Sequence, residues 1–135
     1  MDILIIDGQG GGLGRQLVSA VKAARPDDIV TAVGTNAAAT AAMLKAGADR
    51  AATGPNAVVV GCRRADVIVG PIGIVIADAL LGEITPEIAA AVGRCAAKKI
   101  LIPISHCDNY VAGVPDLSVG RLIQSTVELI GQFAR

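Results

Sequence analysis

The residues of this 135-residue chain whose types and spacing could do chemistry lie in a few short stretches, and the first of them dominates. An apolar run, Ile3 to Ile6, stops at Asp7; Gly8, Gly10, Gly11, Gly12 and Gly14 follow, with Gln9 and Leu13 among them and Arg15 after. Glycine has no Cβ, so its backbone can take φ > 0 and come close to a ligand. A helix that starts directly after such a turn presents unpaired N–H groups and the positive end of its dipole, a setting that favours an anion and most often a phosphate. The competing explanation is a turn that is glycine-rich only to let strand and helix pack closely. Asp7, at the strand end, has the chemistry to hold a ribose hydroxyl or a metal ion, but a carboxylate in that place most simply accepts the turn's own N–H groups.

Two further stretches carry polar groups suited to the same ligand. Thr35 and Asn36 stand about 20 residues past the glycine turn, where a dinucleotide site places the group that meets the ribose, and neither is a carboxylate. NAD is therefore less favoured than a mononucleotide, or than NADP with Arg15 near its 2′-phosphate. The alternative for Asn36 or Thr35 is a plain helix cap. Ser105-His106-Cys107-Asp108 holds every type needed for nucleophilic catalysis, yet sequence neighbours rarely face one another. His106, the one histidine, has the pKa for an acid, a base or a phosphate donor; the plainer alternative is a loop histidine bonded to backbone. No catalytic set is assigned. Glu83 and Glu87 lack a partner ligand, so no metal site is expected, and Glu87 is explained by a helix dipole. A P-loop, G-x-x-x-x-G-K-[ST], is absent, which argues against a nucleotide hydrolase.

Strands alternating with helices must position these groups. Ile3 to Ile6 is a buried strand, and Leu13, Leu17, Val18 and Val21 keep helical spacing after the glycines. Ile29 to Val33 reads as strand two, Ala37 to Ala46 as a helix closed by Gly47, Asp49 to Thr53 as a weak strand three, and 55 to 64 as a short helix. Val67 to Val69, ending at Gly70-Pro71, is a fully buried strand. Ile72 to Leu81 reads as an apolar helix stopped by Gly82, and Thr85-Pro86 caps and opens the next one. Ile100 to Ile102 is the fifth strand; Ser105 to Gly113 is a loop with room for a short strand at Tyr110-Val111-Ala112, and a helix runs from Asp116 to the end. The alternation implies a single α/β domain over residues 1–135: an open parallel five-stranded sheet in the order 3-2-1-4-5, helices on both faces. On such a sheet a ligand sits outside the carboxyl ends of the strands, where the order reverses. The turns at Asp7 to Gly14, Gly34 to Asn36, Gly70 to Gly73, with Gly70 and Pro71 the site candidates, and Ser105 to Asp108 share that rim.

Composition narrows the partners. Twelve basic and twelve acidic residues cancel, with no basic block, so neither nucleic acid nor an anionic membrane is expected. The longest uncharged apolar stretch is too short to span a bilayer, no basic region precedes the first strand, and three widely spaced cysteines suit reduced thiols. Cytoplasmic placement follows as an expectation. Hydrophobic residues make up 53% of the chain, with one Tyr, one Phe and no Trp. That excess, centred on the all-apolar helix expected at 72–81, points to a homodimer or larger assembly unless the helix from Pro86 covers it.

Two resemblances bear on these motifs. Gly8, Gly12 and Gly14 follow G-x-x-x-G-x-G, which resembles the nucleotide loop of short-chain dehydrogenases, although a Thr usually stands there at the place of Asp7. The likeness ends at the chemistry: those enzymes use a Tyr and a Lys four residues apart, and Tyr110 is followed at that distance by Val114. Hydride transfer is not expected. More extensively, IDGQGGGLG, GTNA, ATG-x-NA at Ala52 to Ala57, VGPI, LGEITP and KKILIP resemble a family of short bacterial Rossmann-like proteins of unknown function. That resemblance implies the fold and nucleotide-like binding, and no activity. The expected function is binding of a nucleotide or dinucleotide phosphate at the glycine-rich loop; the alternatives are a small enzyme on a nucleotide-linked substrate and a structural subunit with no ligand.

Overall fold

The computed structural model describes residues 1–104 and 108–134. Five parallel strands, β1 (Asp2–Asp7), β2 (Ile29–Gly34), β3 (Arg50–Thr53), β4 (Val67–Pro71) and β5 (Lys98–Ile102), form one sheet in the order β3-β2-β1-β4-β5. The expected architecture is the observed one. Five helices connect and flank the strands: α1 (Gly12–Ala24), α2 (Ala37–Lys45), α3 (Pro55–Arg64), α4 (Pro86–Arg94) and α5 (Val119–Phe133).

Side chains on successive strand residues point to opposite faces, and β1 is apolar on both. Ile3 and Ile5 enter a core built with Leu17, Val18 and Val21 of α1, Met43 of α2, and Ile123 and Ile130 of α5. Leu4 and Ile6 enter a second core with Val58 of α3, Ile88 and Val92 of α4, and Ile74, Leu80 and Ile84. This two-sided burial is why the central strands read as unbroken apolar runs. It also brings the carboxyl ends of β1 and β4 side by side, with Ile5 level with Val69.

The stretch 72–81 is not the expected helix. Ile72–Val75 makes one 3-10 turn, and residues 77–83 then wind through successive turns. Ile72, Ile74, Val75 and Ile76 are β-branched and poorly suited to a helix interior. Their chain folds back on itself: the Asp78 N–H donates to the Ile84 carbonyl at 2.7 Å, and the Ile84 N–H to the Ala79 carbonyl at 3.1 Å. Ile74, Leu80 and Ile84 are thereby buried against α4 within the same chain, so the helix expected to carry a dimer contact does not exist. No strand forms at Tyr110-Val111-Ala112, and α5 begins at Val119, later than Asp116, with the Ser118 hydroxyl capping Arg121 N–H.

Candidate functional site

The rim is built on the turn from β1 to α1. Its N-cap, Gly11, has φ 73, and a Cβ there would come within 2.9 Å of the Ala39 Cα of α2. At Gly14 a Cβ would lie 2.6 Å from the Met43 sulfur and 2.8 Å from the Asp7 Cβ. Gly8 is as confined, with the Thr35 hydroxyl 2.6 Å from where its Cβ would be. Gly10 and Gly12 differ: a Cβ on either meets nothing within 4 Å, and neither has a positive φ. Close packing accounts for three of the five glycines and leaves two facing open space.

Asp7 ties the turn shut. Its carboxylate, 5% exposed, accepts the Gly8 N–H at 2.8 Å on Oδ1 and the Gly14 N–H at 2.6 Å on Oδ2. Burial pushes this carboxyl above the usual aspartate value; the N–H groups of Gly14 and Gly8 pull the other way, and the charge of Glu83 adds to the rise. Both oxygens serve the turn's own donors, the simplest of the roles expected for Asp7. The Gly11 N–H bonds to the Gly8 carbonyl at 2.9 Å. Among the described residues, the N–H groups of Gly10, Gly12 and Leu13 have no hydrogen-bond partner.

Those three residues line a cleft of about 220 Å³ together with Asp7, Gly8, Gln9, Pro71, Leu80 and Ile104. The cleft lies over the carboxyl ends of β1 and β4, where strand order reverses. Gly70 stands behind it: a Cβ there would lie 2.5 Å from the Ile6 carbonyl, so its bareness serves the packing of β4 on β1. Arg15 is on another side of α1, lining a groove with Ser19, Lys45 and Ile123. His106 lies outside the described residues, as do Ser105 and Cys107.

Thr35 and Asn36 meet Glu83, which the sequence brings forward only as an acid without a partner ligand. The Asn36 Oδ1 caps α2 by accepting the Ala39 N–H at 2.9 Å, which is the capping role expected, while its Nδ2 donates to the Gln9 carbonyl at 2.8 Å. The same Nδ2 donates to Glu83 Oε1 at 2.7 Å. That oxygen also accepts the Thr35 hydroxyl at 2.6 Å and the Gln9 N–H at 3.0 Å. The Thr35 hydroxyl above all, with Gln9 and Asn36 adding, holds the Glu83 carboxyl below its usual value against the opposing effect of burial. A carboxylate does stand at the end of β2, supplied from the far side of β4. Its only signal in the sequence is an acid directly after Gly82, and a helix drawn over 72–81 hides it.

The fold and rim define a parallel α/β protein with a glycine-rich loop at its topological switch point. Over residues 2–135 the chain matches the model of the domain of unknown function DUF3842, and it belongs to that family. No curated protein matches it. A solved structure, a dodecameric FMN-dependent UbiX-like decarboxylase from Escherichia coli O157:H7, is similar at 15% identity over 97% of this chain and 94% of that one, with a TM-score of 0.48. Among the described residues no helix is long and apolar enough to cross a membrane.

Proposed function

We propose that this chain, acting as one domain, binds a small phosphate-bearing compound of the mononucleotide class in the cleft over the glycine-rich loop. One observation carries the reading: Gly10 and Gly12 are bare where the fold does not need them to be, and their N–H groups and that of Leu13, at the start of α1 in residues that line the cleft, have no partner among the described residues. Partnerless backbone donors are uncommon unless water or a ligand meets them. The cleft, at about 220 Å³, is smaller than the roughly 300–1,000 Å³ usual for ligand pockets, which suits one nucleotide better than two. Arg15, the residue that would greet a 2′-phosphate, lines a different groove, and this favours a mononucleotide over NADP. Binding is favoured over catalysis because both oxygens of Asp7, the buried acid of the loop, are occupied.

Self-association and a cytoplasmic setting belong to the same reading. Val111, Val114 and Leu117 are exposed on the connection from β5 to α5; apolar surface of this kind suits a contact between copies. Cys62 and Cys95 are free thiols, which suits a reducing compartment.

The test is calorimetric titration of the parent and Gly12→Val with AMP, ATP, NAD and NADP. A valine at this position has open space, so the variant should keep its fold, yet its branched side chain stands where the phosphate would sit. Mononucleotide binding in the parent that weakens about tenfold or more in a folded Gly12→Val is the expected result. Silence of the parent with all four compounds overturns the reading.

A further inference from the structure

Glu83 is a rim residue whose role the phosphate reading does not absorb. In sheets of this winding a dinucleotide lies across the switch point, and the ribose of one half is met at the end of the second strand. Here that place is filled from within. The three donors that face it, the Thr35 hydroxyl, the Asn36 amide and the Gln9 N–H, all converge on Glu83 Oε1 at 2.6, 2.7 and 3.0 Å. The remaining polar atom of Asn36, Oδ1, is spent on capping α2. No room is left between the glycine turn and β2 either: the place of a Gly8 Cβ lies 2.6 Å from the Thr35 hydroxyl and 3.2 Å from the Glu83 oxygen.

The segment that delivers Glu83 is held in an unusual form. Asp78, Leu80, Leu81 and Gly82 all have left-handed φ, at 68, 56, 56 and 90 degrees. Glu83 N–H donates to the Leu80 carbonyl at 3.1 Å and Gly82 N–H to the Asp78 carbonyl at 3.0 Å. The winding turns Leu80 inward, 4% exposed, into the cleft, and brings both Leu80 and the Glu83 carboxylate against Gly8, 3.0 and 3.2 Å from where its Cβ would be. One turn thus supplies Leu80 to the cleft wall beside Pro71 of β4 and the Glu83 carboxylate to Thr35 and Asn36 at the end of β2. Non-glycine residues in this conformation cost free energy and cluster at functional sites.

From this arrangement, and resting on the phosphate-binding reading above, we infer that Glu83 is a specificity-determining residue that closes the β2 half of the crevice, so that the site admits a mononucleotide and excludes a dinucleotide. The open half keeps the free N–H groups of Gly10, Gly12 and Leu13 for a phosphate, with Pro71, Leu80 and Ile104 as its apolar wall. In the closed half the Thr35 hydroxyl, the Asn36 amide and the Gln9 N–H are already committed to Glu83 Oε1, so none of them is left to meet an incoming ribose, and a second phosphate would meet a like charge.

The experiment compares the parent, Glu83→Ala and Glu83→Gln, each first shown to melt cooperatively, by calorimetric titration with inorganic phosphate, AMP and NAD. The parent should bind AMP at least about tenfold more tightly than NAD, and Glu83→Ala, with the space vacated, should gain about tenfold for NAD while AMP changes by less than about threefold. Glu83→Gln fills the same volume and should exclude NAD as the parent does. NAD binding to the parent as tightly as AMP overturns the inference even if Glu83→Ala fails to fold. A folded Glu83→Ala that gains nothing, or a Glu83→Gln that gains as much, also overturns it while leaving the phosphate site standing. If phosphate and AMP bind none of the folded proteins, the phosphate-binding reading falls and this inference falls with it.

Discussion

Asp7 and Glu83 are both carboxyls of the rim, and their surroundings move them in opposite directions. Glu83 gains donors in the fold and lies below its ordinary 4.5, so its contribution to stability is present above that value and is lost as pH falls through its folded pKa. Asp7, raised above 3.8 mainly by burial, behaves inversely: the fold favours its protonated form, and ionisation costs stability as pH rises from 3.8 through its folded value. Replacing Glu83 by Gln removes one of these titrations and leaves the other. The parent should therefore melt above Glu83→Gln at pH 7, and the gap should narrow once pH drops below about 4.5. Melting curves across pH 3 to 7 (roughly the range over which carboxyls titrate) check this, and a gap that widens on acidification would show that the three bonds to Glu83 do not stabilise its ionised form.

At the scale of elements, the segment between β4 and α4 carries most of what is particular to this protein. Its burial pattern, with Ile74, Leu80 and Ile84 inside, follows no helical period, because a closed loop chooses its inward residues by tertiary contact. Leu81 bears the cost openly: it is left-handed at φ 56 and almost fully exposed, so no packing compensates it. A left-handed L-residue costs about 1–2 kcal/mol, and glycine's extra chain freedom costs roughly 0.5–1 kcal/mol. Leu81→Gly should accordingly stabilise the fold by about 0.5–1 kcal/mol. Urea denaturation should show this as a higher midpoint with an unchanged slope. A lower midpoint would mean that the Leu81 side chain makes contacts beyond its own chain.

For the whole molecule, the excess of apolar residues is mostly explained by a sheet covered on both faces, which takes the central strands, α1 and α4 out of water together. The surplus that remains outside is local. Val111, Val114 and Leu117 lie on one exposed connection, and Leu81 stands on the turn by the cleft. Sedimentation equilibrium should give a mass above the 13.5 kDa of one chain, and Val114→Lys, placing a charge in that connection, should return it towards 13.5 kDa. A parent that sediments at 13.5 kDa at all micromolar concentrations sinks the self-association reading.

The strand order, the glycine-rich turn and the helix caps at Asn36 and Thr85 were legible in the residues themselves. Each depends on local chemistry: β-branched runs bounded by turn formers, glycines before an apolar period, a short polar side chain three residues ahead of the N–H it accepts. Tertiary structure alone sorted the glycines, because whether a bare Cα is needed depends on what lies opposite it: Met43 and Asp7 crowd Gly14, whereas nothing crowds Gly12. It alone placed Glu83, 48 residues beyond Thr35 in the chain, on the Thr35 hydroxyl. The local signal at 72–81 was apolar enough for a helix, and the bonds from Asp78 and Ile84 outweighed it. Hydrophobic patterning records which residues leave water and with what local period; it does not record which distant carboxylate will meet which hydroxyl, since that contact exists only once the sheet has brought β2 and the end of β4 to one rim.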